Sequence, residues 1–408
     1  MKTSNKISGK IEIEIAGIKY GGVVELSEMP HATKQPKYKA WGVRIDRKHS
    51  DPTDAVEYIG EAIGYTPAHG TNPGSWADNP IFAKIRPCLF KDGSVVEYLN
   101  PDNFAQLTSG KEIGNMRNYF DTMIEFGKMF YRIRQDEQYT YVEITDDVQS
   151  LADGFTDYAF SYKGTVRDKF YIGTYKGCDV GGKLRSISGE MPTGSKTIGE
   201  YRNAAHANGN GYEILPFNKL TLLQTLYLLR YKSLDSRAAL GKGLTEADDF
   251  ERTGKTDQAG LYYGDQDGES RVKCHGIEDL WGNLLEWIDG FVSTDKIKIA
   301  DGNFNDTGDG YDIVADLSES VCGGVITDVF GDNKLGFAPK ATDDDLSTGE
   351  AYYCNYGAVY RSNRACVPYF GGSYGGGANA GAFQLYCYYS ASFASPFIGA
   401  RLCFCGGE

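Results

Sequence analysis

The sequence predicts a chain of the α+β class in which short strands outnumber helices. Residues 10–15 alternate polar and apolar side chains, the period-two pattern of a strand with one solvent-facing side. Between about 41 and 98, short apolar runs are separated by clusters of Pro, Asn, Asp and Gly, which is typical of loop-rich β structure. Beyond residue 245, only turns and short strands are expected.

A few elements in the middle of the chain can be predicted individually. Two strand-like segments, 122–126 and 139–144, flank a charged turn and predict a β-hairpin. A helix is predicted over 198–208, because Thr197 precedes Glu200 with the spacing of a capping box and Gly209 follows as a stop. A second helix begins after Pro216 and should present a one-sided apolar stripe, formed by Leu220, Leu223, Leu226, Tyr227 and Tyr231.

Charge and hydropathy exclude several classes of partner. The chain has 408 residues with 42 Lys and Arg against 55 Asp and Glu, a net charge of −13, and no basic run, so we expect no nucleic-acid partner. No stretch is apolar for about 18 residues and the start lacks a secretory apolar core, so we expect synthesis in the bacterial cytoplasm and no membrane insertion. The nine cysteines include no Cys-x-x-Cys pair and are expected to be mostly free, buried thiols.

The last part of the chain has an unusual composition. Residues 351–408 contain nine Tyr, five Phe and ten Gly, but no Lys, Asp, Met or Trp. The run from Gly371 to Gly375 matches the G-x-S-x-G pattern of a serine nucleophile, yet neither His nor Asp follows Ser373 to activate it. This region therefore predicts no hydrolase.

A motif near residue 280 carries a resemblance to a known fold. Gly282, Asn283, Glu286 and Trp287 stand in the order Gly-Asn-x-x-Glu-Trp, which resembles the signature of the formylglycine-generating-enzyme branch of the C-type lectin fold. Other landmarks follow that family's order over roughly 115–405: the segments 170–175, 215–216, 370–374 and 398–403. The resemblance implies a C-type lectin-like domain over 111–408, behind a β-rich region over 1–110. Trp281 and Trp287 are also expected to be core aromatics.

The same resemblance permits an enzyme, but the residues argue against one. In the enzyme branch, a cysteine pair shortly after the Gly-Gly-Ser-Trp element holds copper, since thiolates suit that metal. The corresponding stretch, 375–384, has no cysteine, and Cys387 comes alone. We therefore expect no enzymatic activity, with an oxidase like the formylglycine-generating enzyme as the alternative.

The C-terminal region also resembles the variable proteins of diversity-generating retroelements, which end in rewritten Asn-rich blocks near an Ile-Gly-Phe-Arg sequence. The resemblance implies that residues of about 360–404 include diversified positions between fixed scaffold residues. At a diversified position, an Asn codon can become Tyr, Ser, Phe, Gly, Cys, Pro or Ala, but never Lys, Met, Trp or Glu. The scaffold residues are Gly372, Ala378, Ala380, Gly381, Phe383, Leu385, Ile398, Gly399 and Arg401. The candidate ligand-binding residues are Tyr369, Ser373, Tyr374, Gly375, Gly376, Tyr386, Tyr388, Tyr389, Phe393, Ser395, Pro396 and Phe397.

The residue types at these positions suit a binding surface. Tyr supplies large, rigid contact area at low entropic cost, and Ser and Gly supply adaptable neighbours. The alternative is a buried aromatic core. Against that alternative, the adjacent Tyr388 and Tyr389 cannot both face inward on a strand.

The middle of the chain, from Phe170 to Ser236, resembles tail-associated proteins of bacterial viruses and prophages. This resemblance implies a phage-tail protein located in the virion, with residues 1–110 attached to other tail proteins. The expected partner of the variable surface is a host-cell surface receptor, either a protein or a glycan. A variable binding protein displayed on a cell surface is the alternative, and homo-oligomerisation is left open.

The enzyme branch of the fold implies one cofactor, a structural Ca²⁺ on the Gly-Asn-x-x-Glu-Trp turn. Its predicted ligands are the side chains of Asp279 and Glu286 and the carbonyls of Gly282 and Leu284, all hard oxygen donors. The alternative is that Glu286 accepts hydrogen bonds from backbone amides of a buried loop and that Asp279 caps a turn.

Overall fold

The structure is a computed structural model that describes residues 7–15, 18–26, 38–264, 270–343 and 353–406. The chain divides into two compact units, Met1–Tyr38 and Lys39–Glu408. In the first unit, β1 (Ile7–Ile15) and β2 (Ile18–Leu26) form an antiparallel hairpin with continuous register. The strand predicted over 10–15 is therefore confirmed.

A first seven-stranded sheet joins distant parts of the second unit. In spatial order its strands are β16 (Tyr212–Ile214), β30 (Leu402–Phe404), β13 (Lys169–Gly173), β8 (Asp121–Gly127), β5 (Ile85–Lys91), β6 (Ser94–Asn100) and β7 (Asn103–Leu107). Because β5 pairs directly with β8, residues on both sides of position 110 share one sheet. The compact unit thus begins at Lys39, well before the boundary at 110 that the sequence predicts.

A second seven-stranded sheet carries most of the C-terminal region. Its strands in spatial order are β25 (Pro339–Asp343), β24 (Val321–Val329), β26 (Tyr356–Val359), β28 (Leu385–Cys387), β27 (Pro368–Phe370), β20 (Leu285–Trp287) and β29 (Ile398–Gly399). The last four strands have only two or three residues each, so most candidate binding residues lie in the loops between them.

The remaining strands form smaller sheets. A four-stranded sheet has the order β4 (Val56–Gly60), β3 (Trp41–Asp46), β10 (Tyr139–Thr145) and β9 (Phe130–Gln135). Two three-stranded sheets consist of β17 (Tyr263–Gly264), β18 (Val272–Cys274) and β19 (Ile277–Glu278), and of β21 (Phe291–Ser293), β22 (Lys296–Ile299) and β23 (Asp312–Asp316). Two short pairs are β11 (Ser161–Tyr162) with β12 (Thr165–Val166), and β14 (Cys178–Val180) with β15 (Lys183–Arg185).

The predicted hairpin of 122–126 with 139–144 is wrong. β8 pairs with β5 and β13, whereas β10 pairs with β9 and β3 in another sheet. The reason is local: the Asp136 carboxylate accepts hydrogen bonds from the backbone N–H groups of Gln138 (2.9 Å) and Tyr139 (2.7 Å). This turn connects β10 to β9, the strand that the sequence analysis did not identify.

Strands dominate the described residues, and the α-helices are few. They are α1 (Ile198–His206), α2 (Phe217–Tyr231) and α3 (Ser236–Ala239), supplemented by short 3₁₀ turns at Gly74–Trp76, Phe82–Lys84, Gly114–Asn118, Val148–Asp153, Tyr158–Phe160 and Gly377–Asn379. Both predicted helices are thus confirmed, and the described residues beyond 245 contain no α-helix. No helix in the described part of the chain has the length and apolarity to span a membrane.

Helix α1 begins with the capping box that the sequence predicts. The Thr197 hydroxyl accepts the N–H of Glu200 (3.2 Å), and the Glu200 carboxylate accepts the N–H of Thr197 (2.8 Å). Replacing Thr197 by Ala should therefore lower the free energy of unfolding by about 1 kcal/mol, measured by equilibrium urea denaturation. Thr197→Ser, which keeps the hydroxyl, should retain most of the stability, and equal stability of T197A and the wild type would contradict the role of the cap.

Helix α2 differs from its predicted one-sided stripe, since all of its residues are buried. The ring of Tyr227 lies 6.2 Å from that of Trp281 and 5.7 Å from that of Phe383. A helix enclosed on all sides has no solvent face, so its apolar pattern is not confined to one stripe. Trp281 and Trp287 are fully buried, which confirms them as core aromatics. All nine cysteines are free and seven are buried, also as predicted.

Candidate binding surface

The candidate surface is built on two neighbouring strands, β27 and β28. They pair antiparallel with Tyr369 opposite Tyr386 and Phe370 opposite Leu385. Since side chains alternate along a strand, Phe370 and Leu385 enter the core on one face while the two tyrosines share the other. The rings of Tyr369 and Tyr386 stack with centroids 5.6 Å apart and planes only 5° apart.

Further aromatic rings extend this pair toward solvent. Tyr389 stacks on Tyr369 at 5.6 Å and on Phe393 at 3.7 Å, and Tyr388 contacts Tyr360 edge to face at 4.6 Å. Tyr388 is 40% exposed, whereas Tyr369 is only 9% exposed and also meets Trp287 at 5.9 Å. We call this set the first aromatic group; it consists of Tyr360, Tyr369, Tyr386, Tyr388, Tyr389 and Phe393.

A second aromatic group, Phe250, Tyr374 and Phe397, lies beyond the other end of β27. The ring of Tyr374 lies 5.7 Å from that of Phe397 and 6.2 Å from that of Phe250. The strand pairing explains why the rings of Tyr374 and Phe397 meet: β27 runs antiparallel to β20, and β29 runs parallel to β20. The residues that follow β27 and those that precede β29 therefore lie at the same end of the strands. Phe397 is 45% exposed there.

The smaller candidate residues lie in the two loops that carry the second group. Gly375 is exposed, and Ser373 and Gly376 are partly exposed, in the loop after β27. This loop needs glycine at position 372, where φ is +92° and a Cβ would overlap Ala380. Pro396 is exposed and Ser395 partly exposed in the loop before β29, which is held by a hydrogen bond from Ser195 N–H to the Ser395 carbonyl (2.9 Å).

The structure therefore gathers the candidate residues into two groups. The first contains five of them, and the second contains Tyr374 and Phe397 with the five small residues of the same loops. Sequence reasoning missed Tyr360 and Phe250. Tyr360 lies at the first position of the predicted variable region and shares its residue alphabet, so that signal was available. Phe250 follows two aspartates far from this region, and nothing in its sequence context indicates the contact.

Cys387, the lone cysteine considered for copper, lies beneath the first aromatic group. Its thiol is fully buried and donates to the Cys366 carbonyl at 3.2 Å. Burial raises the pKa of this thiol to about 12. It is therefore held as a neutral packing group at neutral pH.

The two predicted calcium ligands lie in buried ion pairs. Glu286 accepts hydrogen bonds from Lys176 Nζ (2.6 Å) and from Arg401 Nη2 (2.6 Å). Burial alone would raise the pKa of Glu286, but Arg401 and Lys176 outweigh it and bring this pKa below its ordinary value. Asp279 Oδ2 accepts from Arg271 (2.5 Å) and from Asn283 Nδ2 (2.8 Å).

The two predicted ligands differ in how far they are already satisfied: Glu286 pairs with two cations, whereas Asp279 Oδ1 is buried without a hydrogen-bond partner. Arg401 Nη2, which donates to Glu286, also donates to the backbone carbonyl of Asp279 at 3.3 Å. Glu286 therefore accepts hydrogen bonds, as in the alternative, but its donors are the side chains of Lys176 and Arg401 and not backbone amides.

Chelation provides the test of this interpretation. Because two side-chain cations already compensate Glu286, the melting temperature should be the same in EDTA and in millimolar CaCl₂, measured by differential scanning calorimetry at constant ionic strength. Elemental analysis of the purified protein is the control. A lower melting temperature in EDTA would show by linkage that the native state binds the metal.

Comparisons with known proteins give few matches. Models of known protein families give no match, and neither do curated proteins. Among solved structures, this chain is similar to the Major Tropism Determinant P3c variant (12% identity, TM-score 0.29) and the I1 variant (13% identity, TM-score 0.29). Each match covers 99% of this chain and 82% of the other. TM-scores of this size do not establish a shared fold.

Proposed function

We propose that this chain is a receptor-binding protein of a phage tail, with a C-type lectin-like domain that displays a surface diversified by a retroelement. In this proposal, the two aromatic groups and the small residues of their loops contact a protein or glycan on the host cell. Residues 1–110 attach to other tail proteins, and the protein acts in the virion by binding, without catalysis.

One observation carries the proposal: burial separates the two classes of position that the sequence distinguishes. Of the nine scaffold positions, all except Ala378 are buried. Of the twelve candidate binding positions, all except Tyr369 are at least partly exposed. Variation at the fully exposed positions, Gly375, Tyr388, Pro396 and Phe397, would leave the core unchanged, since substitutions at exposed sites usually alter stability by less than about 0.5 kcal/mol. A surface can tolerate sequence diversification only if its variable positions are exposed and its scaffold positions are buried.

The exposed chemistry supports binding. Tyr388 and Phe397 are exposed aromatics of the kind enriched at binding hot spots, and the ring of Tyr388 contacts that of Tyr389 edge to face at 4.9 Å. Rigid aromatic contacts lose little entropy on binding. The buried thiol of Cys387, whose pKa burial raises to about 12, supports a surface without a reactive nucleophile.

The genomic DNA around the gene provides the direct test of diversification. The expected finding is a reverse-transcriptase gene beside a near-copy of codons 360–404 that differs from them only at template adenines. Neighbouring tail genes would support the phage assignment, and their absence beside an intact retroelement would favour a cellular surface protein. An intact neighbourhood without any such near-copy would contradict the diversification proposal.

A further inference from the structure

A cavity of about 740 Å³ lies outside the variable region, between residues 71–86, 101–102 and 259–263. Its walls are largely aromatic and apolar and include Trp76, Phe82, Pro73 and Tyr262. This volume is within the range of about 300–1,000 Å³ that small-molecule sites occupy. The cavity also contains one basic side chain from helix α2, Arg230.

Arg230 is 3% exposed and incompletely paired, although its side chain forms a hydrogen bond with that of Tyr231. Its Nε has no hydrogen-bond partner, and no described carboxylate forms an ion pair with its guanidinium. The guanidinium carbon instead lies 3.6 Å from the centroid of the Tyr262 ring and 5.5 Å from that of Phe82. Cation–π contacts compensate only part of the cost of burying a charge. An anion in the cavity would supply the missing partner.

The other polar groups around the cavity do not provide that partner. Arg86 is already paired with Glu125, and Asp102 is an exposed residue. His275 lies behind Phe82 and Tyr262, and burial together with Arg230 lowers its pKa to about 3, so its ring is neutral. Trp76 donates its Nε1–H to the Tyr58 hydroxyl at 2.9 Å, which satisfies the indole N–H.

We propose that this cavity binds a small organic carboxylate, with the carboxylate on Arg230 and an apolar or ring-shaped body against Trp76, Phe82 and Tyr262. A planar carboxylate matches the guanidinium fork and carries one negative charge. A phosphate carries about −1.5 to −2 and would exceed the single unpaired cation. The carboxylate belongs to a free aromatic acid or to an acidic sugar of a glycan. This site is independent of the proposed receptor-binding surface.

The test uses the full chain and isothermal titration calorimetry. Indole-3-acetate represents a free aromatic acid and glucuronate an acidic sugar, while indole-3-acetamide and glucose are their uncharged counterparts. At least one acid should bind, at least about tenfold more tightly than its counterpart, since a hydrogen bond to a charged group is worth about 1.5–3 kcal/mol. The acid that binds identifies the source. Binding of neither acid, equal binding of acid and counterpart, or tighter binding of inorganic phosphate would overturn the proposal.

Two variants locate the binding in this cavity. Arg230→Gln removes the charge and should weaken acid binding at least about tenfold, whereas Arg252→Gln, at an exposed arginine outside the cavity, should not. Ala83→Trp fills the cavity from an exposed position and leaves Arg230 in place. If Arg230→Gln does not fold, Ala83→Trp still tests whether the acid binds in this cavity. Unchanged acid affinity in a folded Arg230→Gln or Ala83→Trp variant would overturn the proposal.

Discussion

Replacing Glu286 by Gln is expected to lower the free energy of unfolding by about 3–5 kcal/mol, the usual cost of breaking a buried ion pair. Glu286, Lys176 and Arg401 are all at most 1% exposed, and the carboxylate is held by both cations at 2.6 Å. Gln is nearly the same shape, so the change removes the charge with little change in packing. Two buried cations are then left without a carboxylate to compensate their charge. Equilibrium urea denaturation should detect the lower free energy of unfolding.

A matched control shows whether the expected loss of stability comes from the burial of the ion pairs or merely from the loss of a carboxylate charge. Glu246 also pairs with two cations, Arg237 at 2.8 Å and Lys242 at 3.0 Å, but its side chain is 50% exposed. Glu246→Gln should therefore cost no more than about 1 kcal/mol. If Glu286→Gln costs no more than Glu246→Gln, the buried cluster does not stabilise the fold as described.

The same cluster should make stability depend on acid pH. Burial opposes ionisation of Glu286, but Arg401 and Lys176 prevail and lower its pKa in the folded state. The unfolded chain therefore binds the proton at a higher pH than the native state does. The contribution of Glu286 is present above the unfolded pKa of about 4.3 and is lost as the pH falls through the folded pKa. Glu286→Gln should flatten this part of the stability profile.

The cluster also shows what the sequence could and could not predict about the fold. The motifs at 282–287 and 398–403 were both identified from residue order, but their physical connection was not. Arg401 joins Glu286 to the carbonyls of Gly173 (3.0 Å) and Thr174 (2.8 Å), more than 200 residues earlier in the chain. Sequence spacing contains no information on such a contact. The sequence analysis did not anticipate that Lys176 and Arg401 both pair with Glu286, one of the predicted calcium ligands.

Sequence patterns predicted structure that depends on neighbouring residues, but they did not predict contacts between distant segments. The capping box at Thr197 was predicted because its hydrogen bonds join residues three apart. The hairpin of 122–126 with 139–144 was wrong because strand pairing depends on partners elsewhere in the chain, here β5, β13 and β3. The burial of all sides of α2 likewise follows from tertiary packing. For the binding surface, residue type predicted exposure at most positions, but Tyr369 is buried against Trp287.

The stacking within the first aromatic group determines which residues are suitable for a binding test. Tyr369, Tyr386 and Tyr389 form a continuous stack, so their replacement would remove ring contacts worth about 0.5–1.5 kcal/mol each and disturb the strand pair. Tyr388 is the most exposed ring of the first aromatic group, and Phe397 is the most exposed ring of the second. Changing these two together therefore tests binding with the least effect on folding.

The double variant Tyr388→Ser with Phe397→Ser should lose at least about 100-fold in binding to bacterial cells, because aromatic hot spots are worth about 2 kcal/mol or more each. Its free energy of unfolding should change by no more than about 1 kcal/mol, since both rings are substantially exposed. The measurement is adsorption of fluorescently labelled protein to a panel of intact bacterial strains, with variants compared on the strain that binds the wild type best.

A second double variant removes exposed apolar side chains outside residues 360–404. Ile63 is 72% exposed and Val166 is 42% exposed, so Ile63→Ser with Val166→Ser matches the loss of apolar surface without touching either aromatic group. This control should adsorb like the wild type, because the proposed contact depends on aromatic rings at one place. Undiminished adsorption of the Tyr388 and Phe397 variant would exclude these rings as receptor contacts. A loss of several kcal/mol in its stability would show that they belong to the core.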